Sequence, residues 1–390
     1  MERSALGAVF LANGLAAGGF FARLPEQQER LGLSDAALGA TVVGLAAGAL
    51  VTSPYAGRAV NAAGSRRVVV FSACALGATW WLAGAAPNAG VLFAALLVIG
   101  GADAAMDISM NANASAYEAR IGRSVLHRLH ALWSAGVFAG AALASAAAAV
   151  DVVLTVNFLA IGGVVVATVV AAQRHLPGDG PAPQPAAAPG AARGGVRRVV
   201  VLLAMATAGG AAIEGAATDW SAIQLERLGT SHATAGWGVA AFMAGMVAGR
   251  LVGDRLTDRF GSRTVLRGGM LLVAAAMGAG LAVAEPAVFA AGVAITGAGT
   301  SVFFPLAFSA STRIPGLSPG AGAATVSLGG RVGFIAEPIV VGLVADLSSL
   351  RVALSLVVVI AAVLAATAAR LTSPGDHGGD RGSVHRSGCA

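Results

Sequence analysis

An all-α integral membrane protein, with twelve transmembrane helices arranged as two parallel six-helix repeats, follows from three observations. The 390-residue chain is 56% hydrophobic and carries 54 glycines, while charged residues make up only 11%; a soluble domain has about 25%. Apolar runs long enough to cross a bilayer recur along its length, and the two halves repeat one another at a constant offset. So few charges cannot cover a water-facing surface, and so much apolar sequence excludes disorder. Cys74 and Cys389 supply neither a disulfide framework nor the clustered spacing of a zinc site.

A helix needs about 20 mostly apolar residues to cross the hydrocarbon. Such runs lie near 4–22, 36–56, 68–86, 90–113, 131–150, 152–172, 199–218, 236–252, 265–284, 287–311, 321–345 and 352–369. Residues 12–19 offer no A-x-A cleavage site, so the first run reads as a span rather than a signal peptide.

Net charge +6 and a pI near 10.8 would by themselves point to nucleic acid. All 25 basic residues are arginines, however, placed in short segments between apolar runs, as the positive-inside rule produces. With the amino terminus inside, only Arg23, Arg30, Arg227 and Arg351 fall outside, and Arg331 falls within a span. The remaining arginines, Arg250 and Arg255 among them, fall in inner segments. A multi-pass protein of the cytoplasmic (inner) membrane with both termini cytoplasmic is the expectation. Trp80, Trp81, Trp133, Trp220 and Trp237 lie toward span ends, where they are expected to anchor at the interface.

The repeat is explicit. E-R-L-G-L-S-D-A-A-L-G at 29–39 falls on E-R-L-G-T-S-H-A-T-A-G at 226–236, and G-R-A-V-N-A-A-G-S-R-R-V at 57–68 on D-R-L-T-D-R-F-G-S-R-T-V at 254–265, both at an offset of 197. Between the halves, Pro177, Pro181, Pro183, Pro185 and Pro189 mark a linker of flexible or polyproline character. The expected division is a six-helix bundle at 1–173, a cytoplasmic linker at 174–198, a second bundle at 199–371 and a disordered cytoplasmic tail at 372–390. Parallel halves of this kind are a known transporter plan.

Twelve spans, a central loop and an Arg/Gly/Asp-bearing loop after spans two and eight resemble the major facilitator superfamily, whose loop motif is roughly G-x-x-x-D-R-x-G-R-R. The first copy keeps Gly57, Gly64, Arg66 and Arg67 but has Asn61 in place of Asp. The second keeps Asp258, Arg259, Gly261 and Arg263, with Asp254 at the first Gly. The resemblance implies the family's fold, two six-helix repeats around a central cavity, with alternating access and a gating role for these loops. D-I-S-M-N at 107–111, H-A-L-W-S-A-G at 130–136, E-G-A-A-T-D-W-S at 214–221 and G-F-I-A-E-P at 333–338 are similar to a bacterial branch related to the fucose–proton symporters. In that branch an acid four residues before an Asn sits in span four. Arg331 and Glu337 depart from its pattern of an uncharged aromatic and a small residue.

An ion near the bilayer centre costs about 2.5–3.5 kcal/mol on insertion scales, so it faces a cavity or a partner. Spans three, six, nine and twelve carry no Asp, Glu or Arg in their interiors. Asp103 and Asp107 lie in span four, Glu214 in span seven, and Arg331 and Glu337 in span eleven. Asp103, Asp107 and Asn111 are spaced i, i+4, i+8 and share a helical face. A carboxyl that changes protonation on moving between compartments harvests a proton gradient, and Asp107, with Asp103, is the expected coupling site. A structural pair near the cytoplasmic end is the alternative. Asn13, Asn111, Glu214, Arg331 and Glu337 are expected on the cavity, Arg331 neutralising Glu214 or Asp107 or gripping an anionic substrate. Asp219 and Trp220 fall near the outer interface, and His127 and His130 in a cytoplasmic loop as solvated residues. Gly44/Gly48, Gly136/Gly140 and Gly245/Gly249 are spaced for close helix packing.

There is no Walker loop, H-E-x-x-H set or G-x-S-x-G, so neither ATP hydrolysis nor an enzyme is indicated. The expectation is a monomeric secondary transporter of a small solute, coupled to protons, embedded in lipid, with no cofactor and no nucleic-acid partner. A proton-driven exporter of amphipathic compounds and a non-transporting sensor or scaffold on the same fold are the alternatives.

Overall fold

A computed structural model describes residues 1–123, 125–178, 194–311, 314 and 319–371. The prolines at 181–189, Arg313, the side chain of His127 and the tail at 372–390 lie outside the described residues. Among the described residues, twelve helices are long and apolar enough to cross a membrane.

The spans run Glu2–Phe21, Asp35–Ala63, Ser65–Ala85, Ala89–Ile121, Leu126–Ala149 and Leu154–Ala172 in the first half. Those of the second half are Gly194–Arg227, Trp237–Phe260, Ser262–Val283, Pro286–Ser311, Pro319–Leu347 and Leu350–Leu371, span ten being interrupted at Ser301–Val302 between Thr300 and Phe303. Spans four and seven overrun the expected ends because 33 and 34 residues of helix exceed the hydrocarbon thickness. Hydropathy sees only the apolar part. A short helix, Leu24–Leu31, follows span one. An even number of crossings places Glu2 and Leu371 at one face, called here the near face; the opposite one is the far face.

The repeat holds at the level of backbone geometry. Ser34 caps span two by accepting from the Ala37 amide, and Ser231, 197 residues later, accepts from Thr234. Gly64 (φ +88°) and Gly261 (φ +78°) turn the chain between spans two and three and between eight and nine. That left-handed backbone excludes most side chains, which explains why glycine stands at both places.

Within each half the helices close through glycines. Gly48 lies against the carbonyl of Leu97, Gly136 and Gly140 against those of Leu11 and Leu15, and Gly245 against that of Ala294. A β-carbon at any of these would sit about 2 Å from a backbone oxygen, so the small-residue spacing sets how near the helices come. Spans two and four, one and five, and three and six pack together in the first half; seven and eleven, and eight, nine, ten and twelve, in the second.

The halves meet where spans two and eleven, and five and eight, pack together. This seam is tight at the far face. Gly39 rests on the Pro338 carbonyl and Gly342 on that of Asp35. Arg227 forms a salt bridge with Asp35, whose amide donates to Asp346 at 2.8 Å. His232 contacts Glu29 across the seam at 2.9 Å, with Glu226 at 3.5 Å.

The tryptophans correct one expectation. Trp81 and Trp237 are exposed, but Trp80 and Trp220 are buried at 3% and 1%, and Trp133 is partly buried. A position near a span's end fixes depth, not the face of the helix. Trp80 stacks with Phe20 and Phe158, while Trp133 and Trp220 bond to polar side chains inside the protein.

Candidate functional site

Span four carries Asp103 and Asp107 near the middle of its length, one turn apart. Asp107 is exposed, Asp103 half-buried, and both line a cavity of about 250 Å³ bounded by spans two, four and eleven. Neither faces away from the bundle. Asn111 donates its amide to the Asp107 carboxylate and backbone carbonyl, each at 2.9 Å, so the i, i+4 spacing is realised as a contact. Arg331 projects into the same cavity from span eleven, in the other half of the molecule, and acts on Asp107 through space. Among the described residues it forms no salt bridge with Asp107 or Glu214.

Asn13 does not line the cavity but is 3% exposed, behind it. Its amide donates to Asp103 at 2.7 Å and its carbonyl accepts from the Trp133 indole at 2.8 Å. A relay of span five, span one and span four thus fixes the Asp103 carboxylate. The indole makes Asn13 present its oxygen to span five and its amide to Asp103, a hydrogen-bond direction that favours Asp103 as acceptor.

Glu214 on span seven is near enough to Arg250 on span eight for their opposite charges to attract. Arg250 corrects the assignment of that residue to an inner loop. It stands within span eight and donates to Ser134 Oγ and the His130 carbonyl of span five, bridging the halves. It escaped notice because the apolar run ends at 252, beside an arginine-rich turn, and hydropathy assigns such a charge to the loop. His130 is likewise in the first turns of span five, its ring edge-on to Phe10 at 5.4 Å, because Glu118 binds the amides of Val125 and Leu126 and starts that helix early.

Glu337 is corrected too. Expected on the cavity, it is 4% exposed and packed against span seven, accepting from the Trp220 indole at 2.9 Å. Asp219, expected near the interface, is 9% exposed beside it. Arg331 and Glu337, six residues apart, point to different surroundings, and the helix continues through Pro338.

The loop residues lie at the near face. Asn61 is exposed, Gly64 turns the chain, and Arg66 starts span three; Asp258 and Arg259 close span eight, Arg259 over the Phe260 ring at 5.2 Å, and Gly261 and Arg263 open span nine.

Known proteins share this fold. The family model described as Major Facilitator Superfamily matches residues 200–386. The chain is 30% identical to an uncharacterized MFS-type transporter of Yersinia pestis over 93% of this chain and 94% of that protein. It is 32% identical to an uncharacterized transporter of Sinorhizobium fredii over 66% and 68%. Among solved structures, the nucleoside transporter NupG superposes with a TM-score of 0.75 at 13% identity, covering 95% of this chain and 98% of that one. The E. coli fucose–proton symporter FucP does so at 0.62 and 15%, covering 95% and 98%. At such identities the structural likeness shows the fold alone, whereas the sequence relatives carry the assignment: the chain belongs to the major facilitator superfamily and is a membrane transporter.

Proposed function

We propose that the protein moves a small polar solute across the cytoplasmic membrane by alternating access, as a monomer with both termini in the cytoplasm, and that protons drive it through Asp107 with Asp103. The near face is then cytoplasmic, and the sealed far face makes this the inward-open arrangement. The observation carrying the reading is the cavity itself: a water-accessible carboxylate, a second one turn away fixed by Asn13, and an arginine of the opposite half share one recess. Charge reversibly neutralised at Asp107 changes its attraction to Arg331, so protonation bears on how the halves sit. Arg331 also offers an anionic or hydroxyl-bearing solute a donor from the second half. The inner loops at Asn61–Arg66 and Asp258–Arg263, at the near-face ends of spans two and eight, act as its gate.

The test is a thermal-shift screen of small metabolites on the purified protein, followed by flux in proteoliposomes. An imposed pH gradient drives accumulation of the hit by the wild type. Asp107→Asn retains exchange of labelled for unlabelled solute but loses gradient-driven accumulation. Accumulation equal to wild type in Asp107→Asn overturns the proton assignment, and absence of flux for every binding compound overturns transport of those solutes.

A further inference from the structure

We propose that Asp219 and Glu337 form a proton-binding site in the second half, separate from Asp107, whose occupation from the far side is required for the far face to close. Both carboxylates are buried, Asp219 on span seven and Glu337 on span eleven, at 9% and 4% exposure. Glu337 Oε1 accepts from the Trp220 indole, while its Oε2 is buried with no hydrogen-bond partner among the described residues. That oxygen lies over Gly215, where a β-carbon would come within 2.7 Å of it. The glycine thus admits the carboxyl to the surface of span seven, one turn before Asp219. Asp219 is near enough for the two charges to repel.

The charged groups on surrounding elements are engaged elsewhere. Glu214 of span seven is attracted to Arg250, and Arg331 of span eleven shares its cavity with Asp107. Arg227 is bound to Asp35, which holds Asp346, and His232 lies between Glu29 and Glu226. Arg23 binds Glu26 and the Val152 carbonyl, Arg30 the Ala86 carbonyl, and Arg351 the Ala282 carbonyl. Among the described residues none forms an ion pair with Asp219 or Glu337. Two adjacent carboxylates enclosed without a cation and with a single donor cannot both stay ionised. Protonating one of them removes that repulsion, and a proton on Glu337 turns one of its oxygens from an acceptor into a donor.

The site is tied to the gate by its neighbour. Pro338, the next residue, offers the carbonyl on which Gly39 of span two rests. Parting span two from span eleven uncovers that turn to water on the far side. Closing the seam must then enclose the pair, which favours its protonated form.

The test uses full-length protein in nanodiscs with Cys74 and Cys389 replaced, His232→Gln to silence the seam histidine, and spin labels at Ala85 and Leu347, exposed far-face ends of the two halves. Between pH 5 and pH 9 the closed-to-open ratio falls at least tenfold in this parent. In Asp219→Asn/Glu337→Gln it changes less than twofold and stays closed. Glu337→Gln alone, which keeps an oxygen for Trp220, shifts the ratio the same way should the double variant fold poorly. A pH-independent parent, an unaltered profile in both variants, or closure that follows sodium instead of pH overturns the proposal. The profile persists in Asp107→Asn; its loss there assigns the pH dependence to span four and overturns this site, while failure of gradient-driven transport alone bears only on Asp107.

Discussion

Asn13 donates to Asp103 at 2.7 Å while the same side chain accepts from Trp133 at 2.8 Å, so one buried amide holds three helices and sets the direction of a carboxylate. Replacing it with alanine leaves an indole N–H and a carboxylate without their partner. Hydrogen bonds inside membrane bundles contribute about 0.6 kcal/mol on average and up to about 1.7. The loss of two is therefore expected to lower unfolding stability by about 1–3 kcal/mol. Trp133→Phe, which removes one of the bonds, should cost about half as much. Unfolding titrations in mixed micelles check both, and a double-mutant cycle should show coupling, since the second change finds its partner already gone.

Gly39 and Gly48 look alike in sequence, about two and a half turns apart on span two, yet they face different partners. Gly48 packs on Leu97 of span four within one half; Gly39 packs on Pro338 of span eleven in the other half. Gly48→Leu is expected to disrupt the fold of the first half, at the 1–3 kcal/mol typical of overpacking or more, read as lost expression and a lower melting temperature. Gly39→Ala meets a carbonyl only when the far face is closed. Its expected effect is a shift toward the open far face, read as faster labelling of a cysteine placed at Asp346, with the melting temperature of the halves little altered.

These two glycines show what was and was not legible in sequence. Length, apolar runs and the repeat at offset 197 disclose twelve helices and two similar halves, because hydrophobic thickness acts on each segment by itself. The Asp103–Asp107–Asn111 face is legible for the same reason: helical periodicity is local. The partners of charges are not. Arg250, Trp220 and Asp219 lie at depths that composition assigns to loops or interfaces, and only the packing of spans five, eight, seven and eleven brings Ser134, Glu214 and Glu337 to them. Glu337 lay within reach of sequence as an ion in an apolar run, but its direction, away from the cavity and toward Gly215, depends on a small residue 122 positions earlier.

Asp35 and Arg227 form an ion pair across the far-face seam, between the start of span two and the end of span seven. The Arg227 side chain is 39% exposed, so water screens the pair, and exposed pairs contribute about 0.2–1 kcal/mol. Arg227→Gln should consequently leave the fold intact and shift the closed-to-open ratio of the far face by about fivefold at most, the equivalent of about 1 kcal/mol. The shift should shrink above 0.5 M salt, as screening shortens the reach of the charge. Distances between spin labels at Ala85 and Leu347 measure the ratio. Asp35→Asn should do more than Arg227→Gln. Asp35 also accepts from Gln28 at 2.8 Å and is buried at 5%, and its loss strands the arginine on a closed seam. A double variant no worse than Asp35→Asn alone would show that Arg227 acts on the gate through that carboxylate; an additive loss would assign Arg227 a second role there.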